Sequence, residues 1–239
     1  MSIRTRLIEY NDNGTLLEGF FACPDDASNL PCVLISHAWG GRDEFVCDKA
    51  KQLAALGYCA FALDMYGQGV FGHSKDENGA LMMPFMEDRP LLQSRIGCAL
   101  DVVQTLDEVD QNNIAAMGYC FGGLCVLDLA RTRSDIKSVI SFHGLLIPPG
   151  NTHENTVSAS VLVLHGHDDP MVPPNQVLDL QTELSSAGAD WQVHTYGGAV
   201  HAFTNPAADD PGFGTVYNAS ADNRSWQALI NHLESVFAA

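Results

Sequence analysis

Basic residues are scarce in this sequence: 12 lysines and arginines stand against 29 aspartates and glutamates, a formal net charge of −17 over 239 residues. A field of that sign repels phosphate backbones and anionic membrane surfaces, so we expect neither nucleic acid nor a membrane as a partner. Long apolar runs are lacking too. The first ten residues contain no apolar signal core, and no later run approaches the ~20 apolar residues that span a bilayer. We therefore expect a cytoplasmic protein.

The sequence also lacks the cysteine pattern of a disulfide scaffold or a zinc finger. Its seven cysteines are an odd number without metal-site spacing, in a chain too long to need disulfide staples. We expect most of them to be reduced and buried as small apolar side chains. With 46% hydrophobic residues, the chain is long enough to bury one sizeable core. We expect a single domain covering residues 1–239.

Short apolar runs alternate with segments of helical length, which predicts βαβ units around a mostly parallel sheet. Two initial strands, 4–10 and 16–22, flank Asn13-Gly14, a dipeptide suited to a tight hairpin turn. Residues 67–90 have weak periodicity, and we interpret them as a long excursion and possible lid rather than a core element. The other predicted strands are 32–36, 59–63, 114–117, 139–142, 161–165 and 192–196. The predicted helices are 43–56, 90–106, 122–131, 174–187 and 222–237.

The clearest chemical motif is Gly118-Tyr119-Cys120-Phe121-Gly122-Gly123, between a predicted strand and a predicted helix. Small residues two before and two after Cys120 allow the sharp turn that presents a nucleophile. The same turn places Cys120 at a helix N-terminus, where backbone N–H groups and the helix dipole favour a thiolate. Taken alone, a buried structural cysteine is an equally good interpretation. The flanking glycines favour the nucleophile.

An acid and a histidine follow this motif in the chain. Asp169 lies three residues after Gly166 and three before Val172-Pro173, an arrangement similar to that of α/β-hydrolases. The neighbouring Asp168 is interpreted as a turn or helix cap. His201 lies in a glycine-rich loop after the predicted strand 192–196. Nucleophile, acid and histidine in this order form the α/β-hydrolase triad, so we predict Cys120, Asp169 and His201 as catalytic residues.

Acyl transfer also needs N–H donors for the oxyanion, usually the N–H after the nucleophile and one from the loop after the third strand. Phe121 supplies the first. The loop His37-Ala38-Trp39-Gly40-Gly41 follows strand 32–36, and Ala38 is the best candidate for the second, with Trp39 as the alternative. The competing interpretation of this loop is an ordinary strand-to-helix turn.

With these motifs in order, the sequence from Leu16 to the C-terminus resembles the dienelactone hydrolase family. The cysteine within 118–123, the residues 201–203 and the stretch 63–67 are similar to that family. The resemblance implies an α/β-hydrolase fold, with a mostly parallel central sheet flanked by helices on both faces. It implies hydrolysis of a small ester or lactone through an acyl-cysteine, without metal or organic cofactor. The candidates for its substrate pocket are His37, Trp39, Tyr66, His143 and Asn205.

Two positions depart from the family's archetype. The archetype has a glutamate one residue before the second oxyanion donor, which helps to activate the thiol when substrate binds; this chain has His37. It also has an arginine four residues after the catalytic histidine, which binds the lactone's carboxylate; this chain has Asn205. Replacements for that arginine are Arg42, Arg89 and Arg95, although surface exposure is expected for each. We therefore expect a preference for neutral esters or lactones over carboxylated dienelactones.

Two other interpretations are open. One is a metal-dependent hydrolase using His165, His167 and Asp169, because a His-x-His spacing can bring ligands to one metal. Against it, Pro170 stands where the usual motif has another histidine, and His165 lies within a predicted strand. The other is a non-catalytic hydrolase fold that binds a small molecule or a partner, since one fold hosts many functions. The complete candidate triad argues against it.

Overall fold

The computed structural model describes residues 2–152 and 154–238. Eight strands form a sheet in the order β1-β2-β4-β3-β5-β6-β7-β8. Their bounds are β1 Ile3–Asp12, β2 Thr15–Pro24, β3 Leu30–Ser36, β4 Cys59–Ala62, β5 Val109–Tyr119, β6 Ser138–Phe142, β7 Ser160–Gly166 and β8 Trp191–Tyr196; a separate pair consists of β9 Asp209–Asp210 and β10 Thr215–Val216. The helices are α1 Glu44–Ala55, α2 Lys75–Glu87, α3 Arg89–Val103, α4 Phe121–Thr132, α5 Pro174–Ser186 and α6 Ala219–Phe237.

The chain divides into two compact units between Met117 and Gly118. In the first unit, β1 and β2 form the predicted antiparallel hairpin, closed by positive φ angles of 50° at Asn13 and 90° at Gly14. Strand β2 then pairs antiparallel with β4, and β3 pairs parallel with β4. Helix α1 packs against these strands through an apolar face that includes Val46 and Leu53. The mostly parallel α/β arrangement predicted from the sequence thus has an antiparallel entry.

The segment 67–90 differs from the prediction because it contains a helix, α2. Ser74 caps that helix by accepting a hydrogen bond from the backbone N–H of Glu77. Phe85 is its buried residue, and Pro84 lies inside it. A helix that buries one side chain and contains a proline lacks the apolar period by which helices are recognised in a sequence.

The expected surface exposure of Arg42, Arg89 and Arg95 is wrong. Arg95 is 4% exposed and Arg89 6%. The guanidinium of Arg95 donates to Asp12 at 2.8 Å and to the carbonyl of Met65 at 2.7 Å. The side chain of Arg42 is 11% exposed and pairs with Glu18 at 2.6 Å. The carboxylates that make burial of Arg42 and Arg95 possible come from the β1–β2 hairpin, distant in the sequence.

In the second unit, β6, β7 and β8 pair in parallel. Helix α4 packs against β6, helix α6 against β6 and β7, and helix α5 against β8. Gly188 follows α5 with a φ of +74°, the left-handed conformation that commonly ends a helix and that glycine adopts without strain. Parallel strands carry their following loops at one end of the sheet, so the loops after β6, β7 and β8 lie near one another.

The seven cysteines are free, and five of them are buried; Cys98 and Cys120 are partly exposed. This agrees with the expectation of mostly buried, small apolar cysteines. Within the described ranges, the helices are too short or too polar to cross a membrane.

Candidate active site

Cys120 occupies the sharp turn between β5 and α4. Its φ of 55° and ψ of −115° are unusual for a residue with a side chain. A Cβ on Gly118 would overlap the carbonyl of Gly122, so the turn closes only with glycine at that position. The backbone N–H of Cys120 donates to Phe142 at 3.0 Å, which ties the turn to β6. This bond and the glycine turn hold a partly exposed thiol at the N-terminus of a buried helix.

Asp169 and His201 form a buried pair. Oδ2 of Asp169 lies 2.7 Å from Nδ1 of His201, and the two residues are 4% and 1% exposed. The other carboxylate oxygen of Asp169 accepts from the N–H of Met171 at 2.8 Å. Both oxygens of the carboxylate are therefore held in place, and the imidazole presents its Nε2 on the other side.

Asp168 contacts the backbone of the loop that carries His201 and does not contact the imidazole. Its carboxylate accepts from the N–H of Gly198 at 2.8 Å, and its N–H donates to the carbonyl of Ala199 at 3.0 Å. Strand β10 holds the loop from another direction, because His201 forms an isolated bridge with Thr215. The short β9–β10 pair had no signal in the sequence, since two-residue strands are too short to show a period.

Opposing effects act on the pKa of His201. Burial lowers it, whereas Cys120 and the hydrogen bond to Asp169 raise it more, to about 10. No hydrogen bond of normal geometry joins Nε2 of His201 to the described residues, and that atom is buried. Cys120 is the neighbour of the ring on that side, and both its charge and its side-chain hydrogen bond raise the pKa of His201. A negative charge on that sulfur stabilises the imidazolium.

His143 lies directly beside His201. Their ring centroids are 5.2 Å apart in an edge-to-face arrangement, and Phe203 contacts the ring of His143 in the same way at 5.1 Å. The backbone φ of His143 is +37°, and its Nε2 atom lies 2.8 Å from Oγ1 of Thr204. Burial and then the neighbouring His201 lower the pKa of His143 well below its usual range. The ring is therefore neutral. No motif in the sequence connects His143 with Thr204.

Asn205 is exposed, and its side-chain oxygen accepts from the N–H of Ala207 at 2.9 Å. The amide therefore closes a turn in the loop after His201. In this arrangement Asn205 supplies no positive charge to a substrate.

The remaining candidates for the substrate pocket, with Ala38, lie in the first unit. Nε2 of His37 accepts from the N–H of Met65 at 3.2 Å, so Nδ1 carries the proton and donates to the carbonyl of Ala38 at 2.6 Å. Burial lowers the pKa of His37 and favours this neutral form. The hydroxyl of Tyr66 donates to the carbonyl of Trp39 at 2.9 Å. His37 and Tyr66 thus hold the backbone of the loop that contains Ala38.

The residues proposed as metal ligands are used differently. His165 is 2% exposed within β7, and Asp169 is engaged by His201 and Met171. In the described part of the chain, no three His, Cys, Asp or Glu side chains are grouped as metal ligands require. The geometry around Asp169 is that of a carboxylate orienting an imidazole.

Comparisons with known proteins agree with the architecture. The sequence profile of the dienelactone hydrolase family matches residues 17–237. An uncharacterized protein of Caenorhabditis elegans is 38% identical over 150 residues, 62% of this chain and 95% of that protein. A putative carboxymethylenebutenolidase of Synechocystis is 23% identical over 243 residues, 96% of each chain. The crystal structure of a dienelactone hydrolase-like promiscuous phosphotriesterase from metagenomic libraries has a TM-score of 0.92 and 32% identity over 99% of each chain. The predicted α/β-hydrolase fold is confirmed.

Proposed function

The chain belongs to the dienelactone hydrolase family and is a hydrolase of that type, and on that premise we propose that it opens small esters or lactones with Cys120 as the nucleophile. His201 is the base and acid of the reaction, and Asp169 orients it. The observation that carries this proposal is the buried 2.7 Å pair of Asp169 and His201, whose imidazole interacts with Cys120.

In the acylation step, His201 accepts the proton of Cys120 as the sulfur becomes the nucleophile. The raised pKa of His201 favours the protonated ring. The sulfur of Cys120 attacks the substrate's carbonyl carbon, and the carbonyl electrons move to oxygen. When the tetrahedral intermediate collapses, the C–O bond breaks and the leaving alkoxide takes the proton from His201. The acid part remains on Cys120 as a thioester.

Deacylation requires the opposite role of the same imidazole. The acylated sulfur carries no charge, so it no longer raises the pKa of His201, and burial favours the neutral ring. Neutral Nε2 then accepts a proton from a water molecule as that water attacks the thioester carbonyl. Collapse of this second intermediate expels the sulfur of Cys120, and the proton held by His201 returns the two residues to their starting state. The reaction consumes one water and needs no cofactor.

The oxyanion needs hydrogen-bond donors in both steps. Phe121 is the first residue of α4, where backbone N–H groups point out of the helix N-terminus. We assign its N–H to the oxyanion. The second donor, Ala38, stays a prediction from the sequence, supported by the hydrogen bonds with which His37 and Tyr66 hold its loop.

The substrate class follows from the same reasoning together with the relatives. One relative is named a putative carboxymethylenebutenolidase, and one structural neighbour is described as a dienelactone hydrolase-like promiscuous phosphotriesterase. Both names describe attack on an electrophilic ester centre. A panel for this protein therefore contains a neutral aryl ester, a neutral lactone, a carboxylated dienelactone and an aryl phosphotriester.

The test compares Cys120→Ala with Cys98→Ala on that panel, since Cys98 is the other partly exposed thiol. We expect Cys120→Ala to lose hydrolysis and Cys98→Ala to keep the parental rate. A Cys120→Ala variant with the parental rate overturns the proposal. A folded parent protein that hydrolyses none of the panel and whose Cys120 resists haloacetamide favours the non-catalytic binding module instead.

A further inference from the structure

The loop after β3 contains a backbone N–H group that no described residue uses. The N–H of Ala38 has no hydrogen-bond partner among the residues that the structure describes, and Ala38 itself is half-buried. Backbone N–H groups in folded proteins are almost always paired, so an unpaired one leaves a donor for a bound oxygen. The carbonyl of Ala38, by contrast, accepts twice, from the N–H of Gly41 at 3.3 Å and from Nδ1 of His37 at 2.6 Å.

His37 joins this loop to the chain that follows β4. The residue is fully buried, and both of its ring nitrogens are bonded, since Nε2 accepts from the N–H of Met65 at 3.2 Å. The ring of Tyr66 packs against it edge to face, with the ring centroids 4.8 Å apart. One donor and one acceptor are what the neutral imidazole offers when its proton is on Nδ1. In that form the ring of His37 fixes the Ala38 peptide relative to the end of β4.

The protonation of His37 depends on its burial and on the charges around the ring. Burial lowers the pKa of His37, and the bond of Nδ1 to a backbone carbonyl raises it. Of the charged groups around the ring, Asp64 and Asp43 raise that pKa and Arg42 lowers it. The net effect is a pKa below the ordinary value of 6.5, so the ring is neutral at neutral pH. When the pH falls through the lowered pKa, Nε2 gains a proton, and its N–H then faces the N–H of Met65.

We propose that His37 is a positioning residue that holds the N–H of Ala38 as the second oxyanion donor only while its ring is neutral. This role rests on the proposed function and adds a sensitivity to acid. Protonation replaces the bond to Met65 with two opposed donors, so the loop loses its tie to the end of β4 and the N–H of Ala38 is displaced. Because the charge on the oxyanion is largest in the transition state, we expect kcat to fall and KM to change little.

The test compares a 4-nitrophenyl ester with its thionoester, in which C=S replaces C=O. Sulfur accepts hydrogen bonds weakly, so the loss of an oxyanion donor slows the ester more than the thionoester. Both substrates need the same nucleophile and the same base, and the ratio of their kcat values therefore cancels effects on Cys120 and His201. We expect His37→Leu to lower kcat for the ester by ~10²-fold and to lower the ester-to-thionoester ratio by about tenfold.

The conservative variant is His37→Gln, whose amide offers one donor and one acceptor and does not titrate. We expect its ratio at neutral pH to stay close to that of the parent protein. In the parent, the ratio is expected to fall as the pH drops below 6.5, whereas in His37→Gln it is expected to stay flat. If His37→Leu does not fold, these two pH profiles decide the question by themselves.

The matched control is Tyr10→Phe. The hydroxyl of Tyr10 donates to the carbonyl of Asp64 at 3.0 Å and accepts from the N–H of Asp64 at 2.9 Å. It therefore holds the same backbone one residue before Met65 without a hydrogen bond to the loop of Ala38. We expect Tyr10→Phe to lower the stability of the protein and to leave the ratio unchanged.

The outcomes separate this role from the reaction on which it rests. A parental ratio in His37→Leu, an equal fall of the ratio in Tyr10→Phe, or a ratio in the parent that does not change with pH overturns the role of His37. If those results come with hydrolysis that requires Cys120, only this role is overturned. A parent protein that hydrolyses neither substrate, or one that is no faster than Cys120→Ala, overturns the proposed function and the role of His37 with it.

Discussion

Nε2 of His143 lies 2.8 Å from Oγ1 of Thr204, so the residue after strand β6 is hydrogen-bonded to the loop that carries His201. Asp168 holds the same loop three residues before His201, through the N–H of Gly198. Thr204 lies three residues after His201. Asp169 thus holds the imidazole of His201 directly. The contacts of Gly198 and Thr204 hold the loop on either side of His201 in the sequence.

Removing the His143–Thr204 bond is expected to misplace His201 without removing any reacting group. Thr204→Val keeps the side-chain volume and deletes the hydroxyl, and His143→Asn suits the positive φ of that position. We expect each variant to lower kcat about tenfold, because small displacements of a catalytic group are costly. KM is expected to change little, and the double variant to be no slower than the slower single one.

The matched control is the bond between Ser138 and His232, another buried hydroxyl–imidazole contact of the second unit, at 2.7 Å. Ser138→Ala and His232→Asn delete the same chemistry away from His201. Unchanged kcat in these variants is the expected result. If they are slowed as much as Thr204→Val, the effect is loss of general stability and the positioning role of His143 is refuted.

The two adjacent aspartates are expected to behave differently. Asp169→Asn leaves the shape of the side chain but removes the charge that orients and stabilises the imidazolium, and we expect kcat to fall by about 10³- to 10⁴-fold. Asp168→Asn keeps an oxygen acceptor for Gly198, so its loss is expected to be small. Steady-state kinetics with one aryl ester measures both. Comparable activities of the two variants would count against Asp169 as the triad acid.

The pH dependence follows from the sign of the shift on His201. Its pKa is raised from the ordinary value of 6.5 to about 10, so the imidazolium persists through neutral pH and is lost as the pH rises through that value. The profile of kcat/KM is therefore expected to fall on the alkaline side near pH 10, where His201 loses its proton. Because Asp169 raises this pKa, Asp169→Asn should move the alkaline limb to lower pH. An unmoved limb would assign it to another group.

Substrate charge gives a separate prediction. Arg95 forms an ion pair with Asp12, and Arg42 forms one with Glu18. The side-chain amide of Asn205 closes a turn. We therefore compare two ester substrates that differ only in a second group, which is a free carboxylate in one and its neutral methyl amide in the other. We expect the ester bond of the methyl amide substrate to be hydrolysed faster. Initial rates on the two substrates decide it. A strong advantage of the free acid that disappears in Arg89→Met or Arg95→Met would restore a carboxylated substrate class.

Local signals in the sequence account for most of the fold and for the identity of the triad candidates. Gly118 marks the sharp turn, Gly188 a helix end, and the spacing around Asp169 separates it from Asp168. What the sequence did not reveal depends on distant partners. The burial of Arg95 needs Asp12, 83 positions away. The role of Thr204 needs His143, 61 positions away. Helix α2 buries Phe85 alone and so has no period to detect.

The acyl-cysteine itself is the most direct test of the account. Protein mixed with excess 4-nitrophenyl acetate is quenched in acid during turnover and measured by intact mass and peptide mapping, with Asp169→Asn included to slow deacylation. The account predicts one added acetyl group on the peptide containing Cys120, absent from Cys120→Ala and retained in Cys98→Ala. Turnover by the parent protein with no acyl group on Cys120, or with the group on another residue, would contradict it.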